Sequence, residues 1–132
     1  MFLPAATLPR TIPDASVAAA LFAPLAEGRS ERAMVAYLAD EARLLGLRLL
    51  PPGDGHEVVL PFRLIVAEAL ELGATGMVLA HNHPSGDARP SEADLAITRR
   101  LARTLSEVDV RLIDHLVLAG AETTSFRALG LL

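Results

Sequence analysis

Residues Thr75 to Ala80, TGMVLA, form a short and almost wholly apolar stretch that runs without a break into His81-Asn82-His83. A strand of this composition suits a position buried on both faces, since an uncovered face would leave valine, leucine and methionine in water. Such a strand needs neighbouring strands beside it and helices above and below. A covered sheet is therefore the first requirement on the rest of the chain.

The remaining segments supply those parts. Arg32 to Leu38, RAMVAYL, is a compact apolar run bounded by charges, and Leu44 to Leu50 is a second that stops at Pro51, Pro52 and Gly53, so the two read as adjacent strands. Val110 to Leu118 reads as a further strand, followed by a turn at Gly120 and a short C-terminal tail. Asp14 is placed to cap a helix over Ala15 to Phe22, which Pro24 and Gly28 close. Phe62, Ile65, Val66, Ala69 and Leu70 recur at helical spacing ahead of Gly73, a residue suited to a left-handed C-terminal cap. Pro84 to Pro90 are turn formers, and Ser91 then opens a helix whose apolar face is marked by Leu95, Ala102 and Leu105. The order αββαβαβ is that of an α/β fold, a sheet flanked by helices. With 132 residues and no repeat or linker, the chain is read as one principal domain with one principal site.

Composition narrows the chemistry. A formal charge of -4 gives no basic footprint for a phosphate backbone, so nucleic acid is a partner that the charge does not support. The chain has no cysteine, which leaves imidazoles and carboxylates as the available metal ligands and points to a reducing, cytoplasmic setting. The N-terminal MFLPAATLPR lacks the pattern of a signal peptide, and no run of apolar residues is long enough to cross a bilayer. Apolar leader residues and edge strands leave a homodimer open.

The chemically informative stretch is HNHPSGDARPSEADL, His81 to Leu95. Residues two apart on an extended segment project to one side, so His81 and His83 can present ring nitrogens to one ion. The proline- and glycine-rich turn then leads back to Asp94, one turn into the following helix, as a third ligand. Three protein ligands leave a position for water, the mark of a catalytic rather than a structural zinc site. Each part also has a plainer reading: a histidine pair at a strand end is a common turn feature, and S-x-x-D ahead of an apolar run is a helix-capping signature. Their joint occurrence at these spacings favours the metal.

H-x-H, seven residues, then S-x-x-D is the JAMM signature, and His81, His83, Ser91 and Asp94 fill it. The longer AHNHPSG, with P-S-x-x-D after it, resembles the RadC branch of JAMM (MPN-plus, JAB domain) proteins. IDHLVLAG, Ser125-Phe126, the closing GLL, Arg63 and ERAMVAYL extend that resemblance over about Glu31 to Leu132. It implies a leader with a short helix over residues 1–30 and a RadC-like JAB/MPN domain over 31–132. The implied fold is the cytidine-deaminase-like sandwich, a mixed β-sheet flanked by helices. The implied chemistry is zinc-dependent hydrolysis of a peptide or isopeptide bond in a peptide or protein substrate, with one Zn2+ per chain on His81, His83 and Asp94. Glu31 is implied as the base beside the metal water; by composition alone, Glu27, Glu57, Glu68 or Glu71 serve equally. Ser91 reads both as helix cap and as a hydroxyl aimed at the site.

Two other classes remain: a DNA-repair-associated protein acting on or near DNA, and a non-catalytic MPN-type interaction module. Deaminase chemistry is disfavoured because its P-C-x-x-C ligand pair is missing. The literal His81-Asn82-His83 is read as a coincidental match to HNH nucleases. Leu38-Ala39 and residues 51–60 depart from the family pattern, and the helix-hairpin-helix segment common in RadC-like proteins is absent from this sequence. His115 is read as a packed or hydrogen-bonded strand histidine, with its recurrence in the family that this chain resembles implying a supporting role behind the metal as the alternative; His56 is read as a solvated loop residue, and Arg99, Arg100 and Arg103 as a solvated helix face.

Overall fold

The computed structural model describes residues 8–52 and 59–132. Five strands form one sheet: β1 (Ala33–Ala39), β2 (Arg43–Leu49), β3 (Gly76–Asn82), β4 (Arg111–Ala119) and β5 (Glu122–Ser125), in the order β2-β1-β3-β4-β5. Three α-helices cover it: α1 (Ala15–Phe22), α2 (Phe62–Leu72) and α3 (Glu92–Ser106). The fold is the α/β sandwich of a JAB/MPN domain. The apolar TGMVLA stretch becomes the central strand, antiparallel to β1 and parallel to β4, and all seven residues of β3 are buried.

Alternation along β1 and β3 builds two cores. Val35, Tyr37, Met77 and Leu79 face Ile65 and Ala69 of α2 and Leu101 and Leu105 of α3. Met34, Ala36, Leu38, Val78 and Ala80 face the other way, toward Ala18 and Phe22 of α1. The expected cap on α1 forms, with the Asp14 carboxylate accepting from the Val17 amide at 3.0 Å. Gly73 closes α2 at φ 68°, a left-handed conformation in which its N–H reaches the carbonyls of Ala69 and Leu70.

Three local expectations need correction. β5 lies where a tail was expected after Gly120, because its ETTS sequence is too short and polar to carry a strand pattern, and it forms only by pairing with β4. In α3 the buried face runs through Asp94, Thr98, Leu101 and Leu105, so Leu95 is displaced from it by polar side chains serving the site described below. In α2, Leu70 is exposed while Glu68, only 5% exposed, lies inside.

Burial of Glu68 has a direct cause. Arg48 on β2 holds its carboxylate in a fork, with Nε and Nη2 donating at 2.6 to 3.0 Å, and the Tyr37 hydroxyl donates to Oε1 at 3.3 Å. Burial, followed by the Glu68 charge, pushes the Tyr37 phenol well above its ordinary range, so it stays a neutral donor. Arg48→Met strands that carboxylate in the core. With the Arg48 side chain 23% exposed, the cost should fall somewhat below that of a fully buried pair, about 2 to 4 kcal/mol. Urea denaturation checks this, and the double change Arg48→Met, Glu68→Leu should recover most of the loss; an equally unstable double variant would show that the pair matters for shape rather than charge.

Candidate metal centre

Parallel pairing of β3 with β4 requires a crossover, and α3 provides it. The helix therefore starts beside the C-terminal end of β3, where His81 is the penultimate residue and His83 follows just outside the strand. His81 Nε2 and His83 Nε2 lie 2.9 Å apart. The Asp94 carboxylate straddles the pair, with Oδ1 3.1 Å from His81 Nε2 and Oδ2 3.1 Å from His83 Nε2.

Asp94 is held there by the cap that its sequence signature also predicts. Its Oδ2 accepts from the Ser91 backbone N–H at 2.8 Å while its own N–H donates to Ser91 Oγ at 3.0 Å, a reciprocal capping box. Burial pushes the Asp94 carboxyl up, and the donors at Ser91 pull it down. Capping and ligation are thus compatible roles for one side chain. Ser91 Oγ accepts in the box and so keeps its own proton to donate, and Ser91 lines the adjoining cleft.

The ring of His83 is oriented from behind. Its Nδ1 faces the Asp87 carbonyl at 2.8 Å, and a carbonyl only accepts, so Nδ1 carries the proton and Nε2 presents a lone pair. The loop offering that carbonyl is braced by a fork between Arg89 and the Asp87 carboxylate, which draws the Asp87 carboxyl down to about 2. A lone pair, a second imidazole nitrogen and a carboxylate thus converge, an arrangement that repels itself unless a cation sits among them. Donors each about 2.0 to 2.1 Å from a tetrahedral zinc would be about 3.3 Å apart, close to the spacings found here. The donor set fits a divalent ion.

Glu31 lies across from these groups. Its Oε1 is 3.8 Å from His83 Nε2, and donor atoms of Glu31, His81 and His83 all fall within 4.8 Å of one another, a cluster able to hold a metal. Its side chain is a quarter exposed and lines an open cleft of about 500 Å³ together with His83, Ser91 and Asp94. The other glutamates do not gather here: Glu68 is bound to Arg48 and Tyr37, Glu27 and Glu71 are exposed, and Glu57, like His56, lies outside the described residues.

Sequence reasoning missed what positions Glu31. Asn82, dismissed as the middle of a chance HNH match, points to the opposite face from His81 and is 1% exposed. Its Oδ1 accepts from the Arg32 N–H at 2.7 Å and its Nδ2 donates to the Ser30 carbonyl at 3.0 Å, gripping the chain on either side of Glu31. An amide between two candidate ligand histidines, at the end of an otherwise apolar strand, was the available signal. His115 is packed and hydrogen-bonded, as expected: it is buried, stacked on Phe126 with centroids 4.4 Å apart, and 2.7 Å from His81 Nδ1. Of the basic helix face, Arg99 and Arg103 are exposed, while the Arg100 guanidinium lies 4.2 Å over the Phe62 ring.

A family model for the RadC-like JAB domain matches residues 12–131. The chain belongs to that family. Among curated members it is 41% identical over 102 residues to the UPF0758 protein YfjY of Escherichia coli, covering 77% of this chain and 64% of that protein. A UPF0758 protein of Thiobacillus denitrificans is 53% identical over 94 residues, covering 71% and 42%, and UPF0758 protein BAV2405 of Bordetella avium is 41% identical over 109 residues, covering 82% and 48%. The RadC-like chain thus spans between 42% and 64% of the length of these relatives. None of its described helices is long and apolar enough to cross a membrane.

Removing the Asn82 amide leaves the Arg32 N–H and the Ser30 carbonyl without their partner. Asn82→Ala should cost about 2 kcal/mol by the ordinary penalty for such losses. Hydrogen exchange at the Arg32 amide should accelerate more than at the centre of β1, and uniform acceleration along the strand would contradict a local grip on Glu31.

Proposed function

We propose that this RadC-like domain is a zinc-dependent hydrolase of the JAMM type that cleaves a peptide or isopeptide bond. The supporting observation is the convergence of His81 Nε2, His83 Nε2 and both Asp94 oxygens beside a cleft that Glu31 also lines. Asp94 is the third ligand because it approaches both imidazoles at 3.1 Å, whereas Glu31, at 3.8 Å from His83, is left free to exchange protons with solvent in the cleft. When bound, zinc supplies a Lewis acid and lowers the pKa of its water to about 7.

The chain's own groups do the rest. Glu31 takes a proton from the attacking water and returns it to the leaving amine, so one carboxylate serves as base and then acid. The Ser91 hydroxyl, its oxygen already occupied by the Asp94 amide, donates its proton toward the oxygen on which negative charge develops. Asp87 and Asn82 hold His83 and Glu31 in register through backbone and amide contacts rather than by touching substrate.

The test is metal content and hydrolysis of peptide and isopeptide substrates. Wild type should hold one zinc per chain, Asp94→Ala should lose it, and Glu31→Gln should keep it while turnover falls by about 10²- to 10⁴-fold. Full metal in Asp94→Ala would remove that residue from the ligand set, and undiminished turnover in Glu31→Gln would remove the base. A protein that bound no zinc but bound DNA in a strongly salt-dependent way would favour a role on DNA instead.

A further inference from the structure

The contacts behind His81 form a closed loop through a second histidine. Thr98 lies one turn beyond Asp94 on α3, and its hydroxyl donates to the Asp94 carbonyl at 2.6 Å. The proton of that hydroxyl is thereby committed. Thr98 Oγ1, also 2.6 Å from His115 Nδ1, must then accept from the ring, which makes His115 the Nδ1–H tautomer with a lone pair on Nε2. That lone pair is 2.7 Å from His81 Nδ1, so His81 in turn carries its proton on Nδ1 and leaves Nε2 bare toward His83 and Asp94. Running the loop the other way would set the Thr98 oxygen against the Asp94 carbonyl at 2.6 Å with no proton between them, two acceptors in a buried site.

We infer that Thr98 and His115 are positioning residues that fix His81 as its Nδ1–H tautomer and aim its Nε2 lone pair at the metal position before any ion arrives. This rests on the metal centre proposed above. The loop begins and ends on ligands: His115 holds the ring of His81, and Thr98 holds the backbone of Asp94, whose carboxylate meets His81 on the other side. His115 cannot swing aside, since it is 1% exposed and stacked on Phe126 with an interplanar angle of 24°. Metal-bound imidazoles depend on such support, and its loss typically weakens metal affinity by about 10- to 100-fold.

The decisive measurement needs no metal. Nitrogen-15 spectra of the zinc-free wild-type protein, recorded well above the ordinary histidine range, should show His81 protonated on Nδ1; a proton on Nε2 overturns the inference. Zinc titration then supplies a second arm. Thr98→Val should bind zinc about 10- to 100-fold more weakly, and Thr98→Ser, which restores the hydroxyl, should bind close to wild type. A folded Thr98→Val with wild-type affinity also overturns it, and if that variant does not fold, the wild-type spectrum and the serine variant decide. Failure of wild type to bind zinc at all would sink the proposed metal centre, while the metal-free tautomer would still report on the hydrogen-bond loop.

Discussion

Parallel strands cannot be joined by a tight turn, so the pairing of β3 with β4 commits the chain to a crossover, and the site follows from that commitment. Residues 83–91 carry the chain from the end of β3 to the first turn of α3. The helix N-terminus is thereby set against the strand C-terminus, and Asp94 meets His81 and His83 across that junction. Backbone amides at a helix start favour a carboxylate, and the capping box gives the Asp94 side chain one fixed direction. The proposed metal position is in this sense a by-product of how an α/β sheet must be connected.

Strand alternation divides labour at this junction. His81 and His83 project to the face covered by α3, while Asn82 between them projects to the other and grips the segment around Glu31. Three consecutive residues thus set both the proposed ligands and the proposed base. A shift of one position in the register of β3 would invert all three, and two covered faces resist such a slip because the apolar residues of β3 would be inverted with them.

The polar groups in this region are buried at a cost to the fold, and each described partner reduces it. His81, Asn82, Asp94, Thr98 and His115 are all nearly inaccessible, and all are hydrogen-bonded. At the two Nε2 atoms and Asp94, by contrast, the acceptors face one another, and among the described residues no donor lies between them. A cation among them would bind the folded state in preference to the unfolded chain and so stabilise the fold.

Much of this protein was legible in one dimension, because caps, turns and hydrophobic periods act over a few residues. The buried character of β3, the Asp14 cap, the Gly73 stop, the pairing of β1 with β2 and the His81, His83, Asp94 set are all local patterns. The resemblance to JAMM proteins selected Glu31, which composition could not separate from four other glutamates. Only the tertiary structure decided the rest. β5 exists through its partner strand, the burial of Glu68 depends on Arg48 twenty positions away in sequence, and Asn82 and His115 take their roles from residues 50 and 34 positions distant. Hydrogen bonds between such remote groups leave no period in a sequence; they arise when the sheet brings the strands together, and until then an asparagine or a histidine in an apolar run has no visible partner.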